Sequence, residues 1–264
     1  MISLSRPEQS EAADSPIEVM LEYWLGYSMP SPERVRHESA WSPDTRDDYC
    51  SRCGVTIGPG EASASGCGSC RGKPGIADGI LRLGAYTDDL RNWIINVKYH
   101  QWAEMGAVLG RELGRLVIDH RIVLDTELSK VIVVPMPMPW QRRIYRGIDH
   151  ARLIAEGAAK VFNAPVLSML CKRNGTPQVT LPRSQRKRNG SQGLRLHSYG
   201  KLIPGGRWIR GSVILLVDDV CTTGATLRAG VRLLRTLKPE RIIATVVAVS
   251  DDPARRSTVK YQPR

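Results

Sequence analysis

The sequence predicts an α/β fold: a parallel sheet with helices on both faces, preceded by a small zinc knuckle. Three observations lead there. Short, wholly apolar, β-branched runs such as Val131-Ile132-Val133-Val134 and Val213 to Val217 have the character of strands buried on both faces. Stretches with apolar residues at helical spacing separate them, and strands alternating with helices build a parallel sheet. Ahead of both lie two Cys-x2-Cys pairs, Cys50/Cys53 and Cys67/Cys70. In a reducing compartment that spacing suits four thiolates around one tetrahedral, structural Zn2+, with disulfides or free thiols as the alternatives. Four cysteines leave no open position for a catalytic metal.

Taken in order, residues 1–46 are rich in Ser, Pro and charge apart from an apolar patch at Ile17 to Tyr27. They are expected to form a mobile segment with one short helix at that patch. Residues 47–75 hold the zinc-ribbon-like knuckle, and residues 76–264 the main domain. Gly79 to Thr87 is read as a strand or hairpin arm. Leu90, Trp93, Ile94 and Val97 mark an amphipathic helix ending near Tyr99, and Met105, Leu109, Leu113, Leu116 and Val117 mark a second. Ile148 to Phe162 is an alanine-rich helix and Pro165 to Leu170 a further strand. From Lys172 to Gly211 the chain is basic, poor in apolar residues and punctuated by Gly and Pro, which reads as a lid or as a disordered loop. Ser212 to Val217 resumes the sheet, followed by a helix carrying Leu227, Val231, Leu234 and Leu237 and a strand from Ile242 to Val249.

The 264 residues carry a formal charge of +12, which favours polyanionic partners, either nucleic acid or a phosphate-dense small substrate. A single Phe, and basic stretches without interleaved aromatics, count against a dedicated single-strand-binding surface. There is no apolar stretch of membrane-spanning length and no signal-peptide pattern, so the expected location is the cytoplasm.

The chemistry concentrates after Val217. A buried strand is expected to turn at Asp218 to Thr223 and enter a helix. Thr222, Thr223, Gly224, Ala225 and Thr226 offer backbone and hydroxyl donors at a helix N-terminus, a cradle for a phosphate. Gly224 is expected to let the backbone approach the anion with no Cβ in the way. Asp218 and Asp219, directly before, can accept hydrogen bonds from vicinal hydroxyls. A ribose 5-phosphate has both features.

This segment resembles the phosphoribosyl pyrophosphate (PRPP) signature of type I phosphoribosyltransferases. Further pieces are similar to ComF-type (ComFC-like) competence proteins. These are the cysteine knuckle, the Lys98-Tyr99 helix end, Val134-Pro135-Met136-Pro137, Arg146-Gly147, and the spaced Thr176, Gln178, Leu181, Arg186 and Asn189. That family continues Arg-Gly with an aromatic residue, Asn and Gln, whereas Ile148, Asp149 and His150 follow here. The resemblance implies a type I phosphoribosyltransferase-like sheet and Mg2+-dependent transfer of ribose 5-phosphate from PRPP to an unidentified acceptor, with diphosphate released. It implies catalytic roles for Asp218, Asp219, Lys98 and Arg146. For the diphosphate or a closing lid it implies Pro135, Met136, Arg142, Arg143 and Arg186, with donors from the backbone after Val134. The competing implication is a role in DNA uptake or nucleotide sensing with little or no catalysis, with single-stranded DNA or a competence helicase-type partner.

Overall fold

The computed structural model describes residues 31–61, 65–100, 102–120, 130–139, 147–172, 193–197 and 209–251. It divides into two compact units, Met1–Ala40 and Trp41–Arg264. The described part of the first contains helix α1, Pro32–Glu38. Its signals are local: Ser31 accepts from the Arg34 amide at 3.3 Å, proline opens the helix, Glu33 sits in the first turn and Arg36 and His37 in the last. The sequence reading did not place this helix, and its own choice, Ile17 to Tyr27, lies outside the described residues.

In the second unit the elements follow as β1 (Gly79–Ala85), α2 (Asp88–Tyr99), α3 (Ala103–Asp119), β2 (Val131–Pro135), α4 (His150–Phe162), β3 (Leu170–Lys172), β4 (Leu194–Leu196), β5 (Val213–Cys221), α5 (Ala225–Arg235) and β6 (Arg241–Val249). Strands β1, β6, β5 and β2 form, in that order, a fully parallel sheet. Side chains alternate between its faces. Ile132, Val134, Ile214, Leu216, Ile242 and Ala244 share one cluster with Leu227, Val231 and Leu234 of α5. Helices α3 and α4 pack on the strands as well and cross one another closely. A Cβ on Gly110 would stand 2.4 Å from the Ile154 carbonyl oxygen, and one on Gly157 2.6 Å from that of Ala107, so glycines set this crossing distance.

Several details differ from the sequence reading. β1 is no hairpin arm; it pairs in parallel with β6 at the sheet edge. α4 begins at His150, two residues later than expected, because Gly147 has φ +71° and Asp149 caps the helix by accepting from the Arg152 amide at 3.3 Å. Pro165 to Leu170 is not a strand. Residues 165–167 touch β2 only where the Val133 amide donates to Pro165 O and the Leu167 amide to Val133 O, an isolated bridge. The strand at this place, β3, starts at Leu170 and pairs antiparallel with β4, an element inside the region read as a long connection. Its alternating Leu194-Arg195-Leu196 is too short to show a period.

The cysteine knuckle packs on the sheet within the same unit. A Cβ on Gly54 would meet Val249 at 2.9 Å and Ile80 at 3.0 Å. Arg82 of β1, 1% exposed, fixes this contact. It donates to Gly54 O at 2.7 Å, to Thr56 Oγ1 at 2.8 Å and to Asp44 at 2.8 Å, and lies 3.7 Å from Asp251. A buried guanidinium costs several kcal/mol to desolvate, so its full set of partners is a condition of burying it. Desolvation raises the carboxyl of Asp44 above its usual range although Arg82 pulls it back.

Candidate functional site

Strand β5 is the central feature, and it is longer than the sequence suggests. The expected turn at Asp218 to Thr223 is instead strand as far as Cys221: Asp218 pairs with Val246, Val220 with Ala248 and Cys221 with Val249. Both aspartates are therefore ladder residues whose backbones are held on a rigid strand, and only 222–224 turn. The neighbour strand β6 is wholly apolar here, and its continued pairing outweighs the low strand preference of aspartate.

The amide of Asp219 donates to Asp218 Oδ1 at 2.9 Å, and that of Val220 to Asp219 Oδ1 at 2.6 Å. Lys98, at the end of α2, reaches across to Asp219 Oδ2 at 2.9 Å, both side chains being about five-sixths covered at 16% and 17% exposure. Two residues 121 positions apart, both singled out in the sequence, are thus brought together. A narrow crevice beside them is lined by Ile94, Val97, Leu109, His150 and Ile154. Burial, and then the charge of Asp219, push the Asp218 carboxyl up to about 7; Lys98 and Lys172 pull the other way. Lys172 closes β3, and sequence reasoning saw it only as the first charge of a basic stretch. Burial and Asp218 also push the Cys221 thiol up to about 11, so this cysteine is a packing residue and no nucleophile. It ends the strand; the sequence reading had it in the loop.

Past Cys221 the chain turns through exposed Thr222 and Thr223 to Gly224, whose φ of +67° and ψ of 6° place it in the left-handed region. The Ala225 amide meets Thr223 Oγ1 at 3.4 Å, and Arg228 donates to Thr223 O at 2.6 Å. Arg228 was missed; its signal is its place one helical turn beyond Gly224. The expectation that Gly224 clears space for an anion needs correcting. The space a Cβ would take is filled by Ile76, at 2.7 Å and 3.0 Å from its Cδ1 and Cγ1. Glycine here serves the turn and a side chain beneath it.

Pro135 ends β2, Met136 follows it, and both are buried. The Met136 amide donates to Val217 O at 2.8 Å and Pro135 has no amide hydrogen, so neither of these two residues offers a free backbone donor. Arg142, Arg143, Arg146 and Arg186, with Thr176, Gln178, Leu181 and Asn189, lie outside the described residues.

The four cysteines form the second cluster. Their sulfurs all lie within 4.8 Å of one another, with Cys50–Cys70 and Cys53–Cys67 at 3.7 Å. A disulfide needs about 2.05 Å, whereas a tetrahedron with Zn–S bonds of about 2.3 Å spaces its sulfurs by about 3.8 Å. The set can hold a metal ion. Burial drives the thiols of Cys53 and Cys70 up; at Cys50 burial is outweighed by backbone donors from Arg52, Cys53 and Cys67, bringing it down to about 7. Gly66 has φ +101°, and a Cβ there would stand 2.5 Å from the Cys70 sulfur.

With this geometry in place, comparison with known proteins gives a consistent picture. The phosphoribosyl transferase domain family matches residues 157–264, which include β5, the turn and α5. Competence protein F of Haemophilus influenzae is 28% identical over 196 residues, 74% of this chain and 81% of that protein. The DNA utilization protein YhgH of Shigella flexneri is 29% identical over 202 residues, and that of Escherichia coli K12 28% identical, each covering 74% of this chain and 82% of the relative. Over 74% of its length the chain is thus similar to competence and DNA utilization proteins, and its residues 157–264 match the phosphoribosyl transferase domain family. Its parallel sheet with packed helices is the α/β architecture that the sequence predicts. No described helix is long and apolar enough to cross a membrane.

Proposed function

We propose that this chain binds PRPP with Mg2+ at the β5–α5 loop and transfers ribose 5-phosphate to an acceptor nucleophile, releasing diphosphate. The observation that carries the reading is the acidic pair near the end of a central parallel strand, with Lys98 on Asp219 and a short turn leading into a helix N-terminus. Ligands of open α/β sheets gather at this end of the strands. The amides and hydroxyls of residues 222–226 take the 5-phosphate, and the carboxylates of Asp218 and Asp219 accept from the two ribose hydroxyls.

In the transfer the anomeric C–O bond to diphosphate breaks, its electron pair leaving on the diphosphate oxygen, and the acceptor bonds to the same carbon and loses its proton. Positive charge grows on the ribose ring as this happens, and two fixed carboxylates beneath it are stronger partners for that state than for the ground state. Lys98 holds Asp219 in position. Mg2+ bound to the donor supplies charge neutralisation on the leaving diphosphate, with most of its ligands from substrate and water. Arg146 and Arg186 are proposed to meet the diphosphate and to close over it, with Arg142 and Arg143 as further donors. The four-cysteine cluster is proposed to hold structural Zn2+, closed to solvent chemistry because every position is a thiolate.

Calorimetry with PRPP and Mg2+ tests the reading: the wild type binds, and Asp218→Asn with Asp219→Asn abolishes binding. Undiminished binding by the double variant removes the site assignment. A second reading is favoured by the relatives' names, which speak of competence and DNA utilization, and by the +12 charge. In it the same pocket serves a protein that handles single-stranded DNA, with transfer secondary. Titration with single-stranded DNA across a salt series then shows affinity falling steeply as salt rises; no binding at low salt excludes it.

A further inference from the structure

The cysteine cluster and the β5–α5 turn are connected by a short strap, residues 75–78, that neither reading above uses. The strap follows the knuckle and runs directly into β1. Its Ile76 amide donates to the carbonyl of Arg52, which stands between Cys50 and Cys53, at 3.3 Å. The guanidinium of Arg52 in turn donates to Lys73 O at 2.9 Å and to Ser65 O, so this one residue between two metal-ligand candidates ties both halves of the knuckle to the strap. At its far side the strap grips both ends of α5. Ile76, 4% exposed, fills the space beside Gly224 at the helix start. Asp78 binds Arg235 at the helix end at 2.6 Å and accepts from the Ile242 amide at 2.8 Å.

From this we infer that Ile76 is a positioning residue for the turn, and that a metal ion on the four cysteines sets the turn's ligand affinity through Arg52 and Ile76. Four thiols within 4.8 Å have no strong directional bonds among themselves, so without a metal the Arg52 backbone keeps its hydrogen-bonded neighbours, Ser51 O on the Ile80 amide and Gly54 O on Arg82, but is held less firmly. Ile76 then braces Gly224 less firmly, and the amides after it are held less firmly toward a phosphate. Because coupling between two binding sites is reciprocal, ligand at the turn must tighten the metal by the factor that the metal tightens the ligand.

The inference rests on the proposed PRPP site, and the experiment separates the two. Full-length, metal-loaded protein is titrated with PRPP and Mg2+, beside Ile76→Val and Ile76→Ala, and the metal is competed with a chromophoric chelator with and without PRPP. Expected are a loss of PRPP affinity of about tenfold in Ile76→Ala, a smaller loss in Ile76→Val, and chelator competition that PRPP makes harder in the wild type by several-fold but not in Ile76→Ala. Metal content and a cooperative melt confirm that the variants remain folded. Wild-type binding with unchanged affinity in a folded Ile76→Ala, or chelator competition indifferent to PRPP, overturns the coupling alone. A metal-loaded wild type that binds no PRPP overturns both.

Discussion

Asp218 shows how much one residue's surroundings change its chemistry. Its carboxyl, pushed from 3.8 to about 7 by burial and by Asp219, takes up a proton in the folded chain where the unfolded chain has none. The folded state therefore binds more protons between those values, and stability contributed by this group falls as pH rises from about 4 to about 7. Two outcomes follow. Affinity for PRPP rises with pH and levels off above about 7, since only the ionised carboxylate accepts from both ribose hydroxyls; calorimetry between pH 6 and 8.5 reads this directly. Without ligand, Asp218→Asn melts at a higher temperature than the wild type at pH 8, and the difference shrinks toward pH 4. A melting difference independent of pH means that Asp218 is not the group titrating. Asp219 was as visible in the sequence as Asp218, yet only the fold separates them: one faces Lys98 directly while the other bears the larger desolvation. Lys98 itself was legible through its family-like helix, whereas Ile76 was not, because an isoleucine after a Pro-Gly pair has no local signature of the turn it supports.

At the scale of elements, the amphipathic helices of the second unit were well specified, whereas the short α1 was not placed. The spacing of Leu90, Trp93, Ile94 and Val97 placed α2 to its last residue, and all four are buried. The strands were placed where they are apolar and missed where pairing alone makes them. β5 continues through two aspartates because β6 lies alongside to receive them, and a ladder partner is invisible in a window of sequence. Pro165 to Leu170 failed in the opposite sense, being apolar but with a single bridge to β2. The α3–α4 crossing carries its own prediction. Gly110→Ala puts a methyl 2.4 Å from the Ile154 carbonyl oxygen, backbone that cannot swing away. The helices must part, at a cost of about 1–3 kcal/mol, seen as a lower midpoint in urea with little change in slope. Wild-type stability in Gly110→Ala excludes so close a crossing.

For the molecule as a whole, the cysteine knuckle is part of the second compact unit, docked through Gly54 and through a buried arginine of β1 with partners before the knuckle, within it and after the sheet. Its loss should be felt beyond the knuckle. Purified protein is expected to carry about one metal ion per chain, lost in Cys50→Ser, with a lower melting temperature for the whole unit in one transition. Two separate transitions, with the sheet melting as in the wild type, show instead that the knuckle is energetically independent; metal-free wild type removes the site.

By itself, the sequence determined roughly where most helices and the apolar strands run and which residues are candidates for the chemistry, because apolar periodicity, Cys-x2-Cys pairs and an acidic pair before a Thr-Thr-Gly turn are local patterns. Tertiary structure alone decided which of them meet. Lys98 lies on Asp219, the charge of Lys172 pulls the Asp218 carboxyl down against its burial, Arg82 is enclosed by residues 44, 54, 56 and 251, and Ile76 occupies the hollow of Gly224. Each of these contacts joins chain segments far apart in sequence, and desolvation, ion pairing and packing depend on what lies nearby in space.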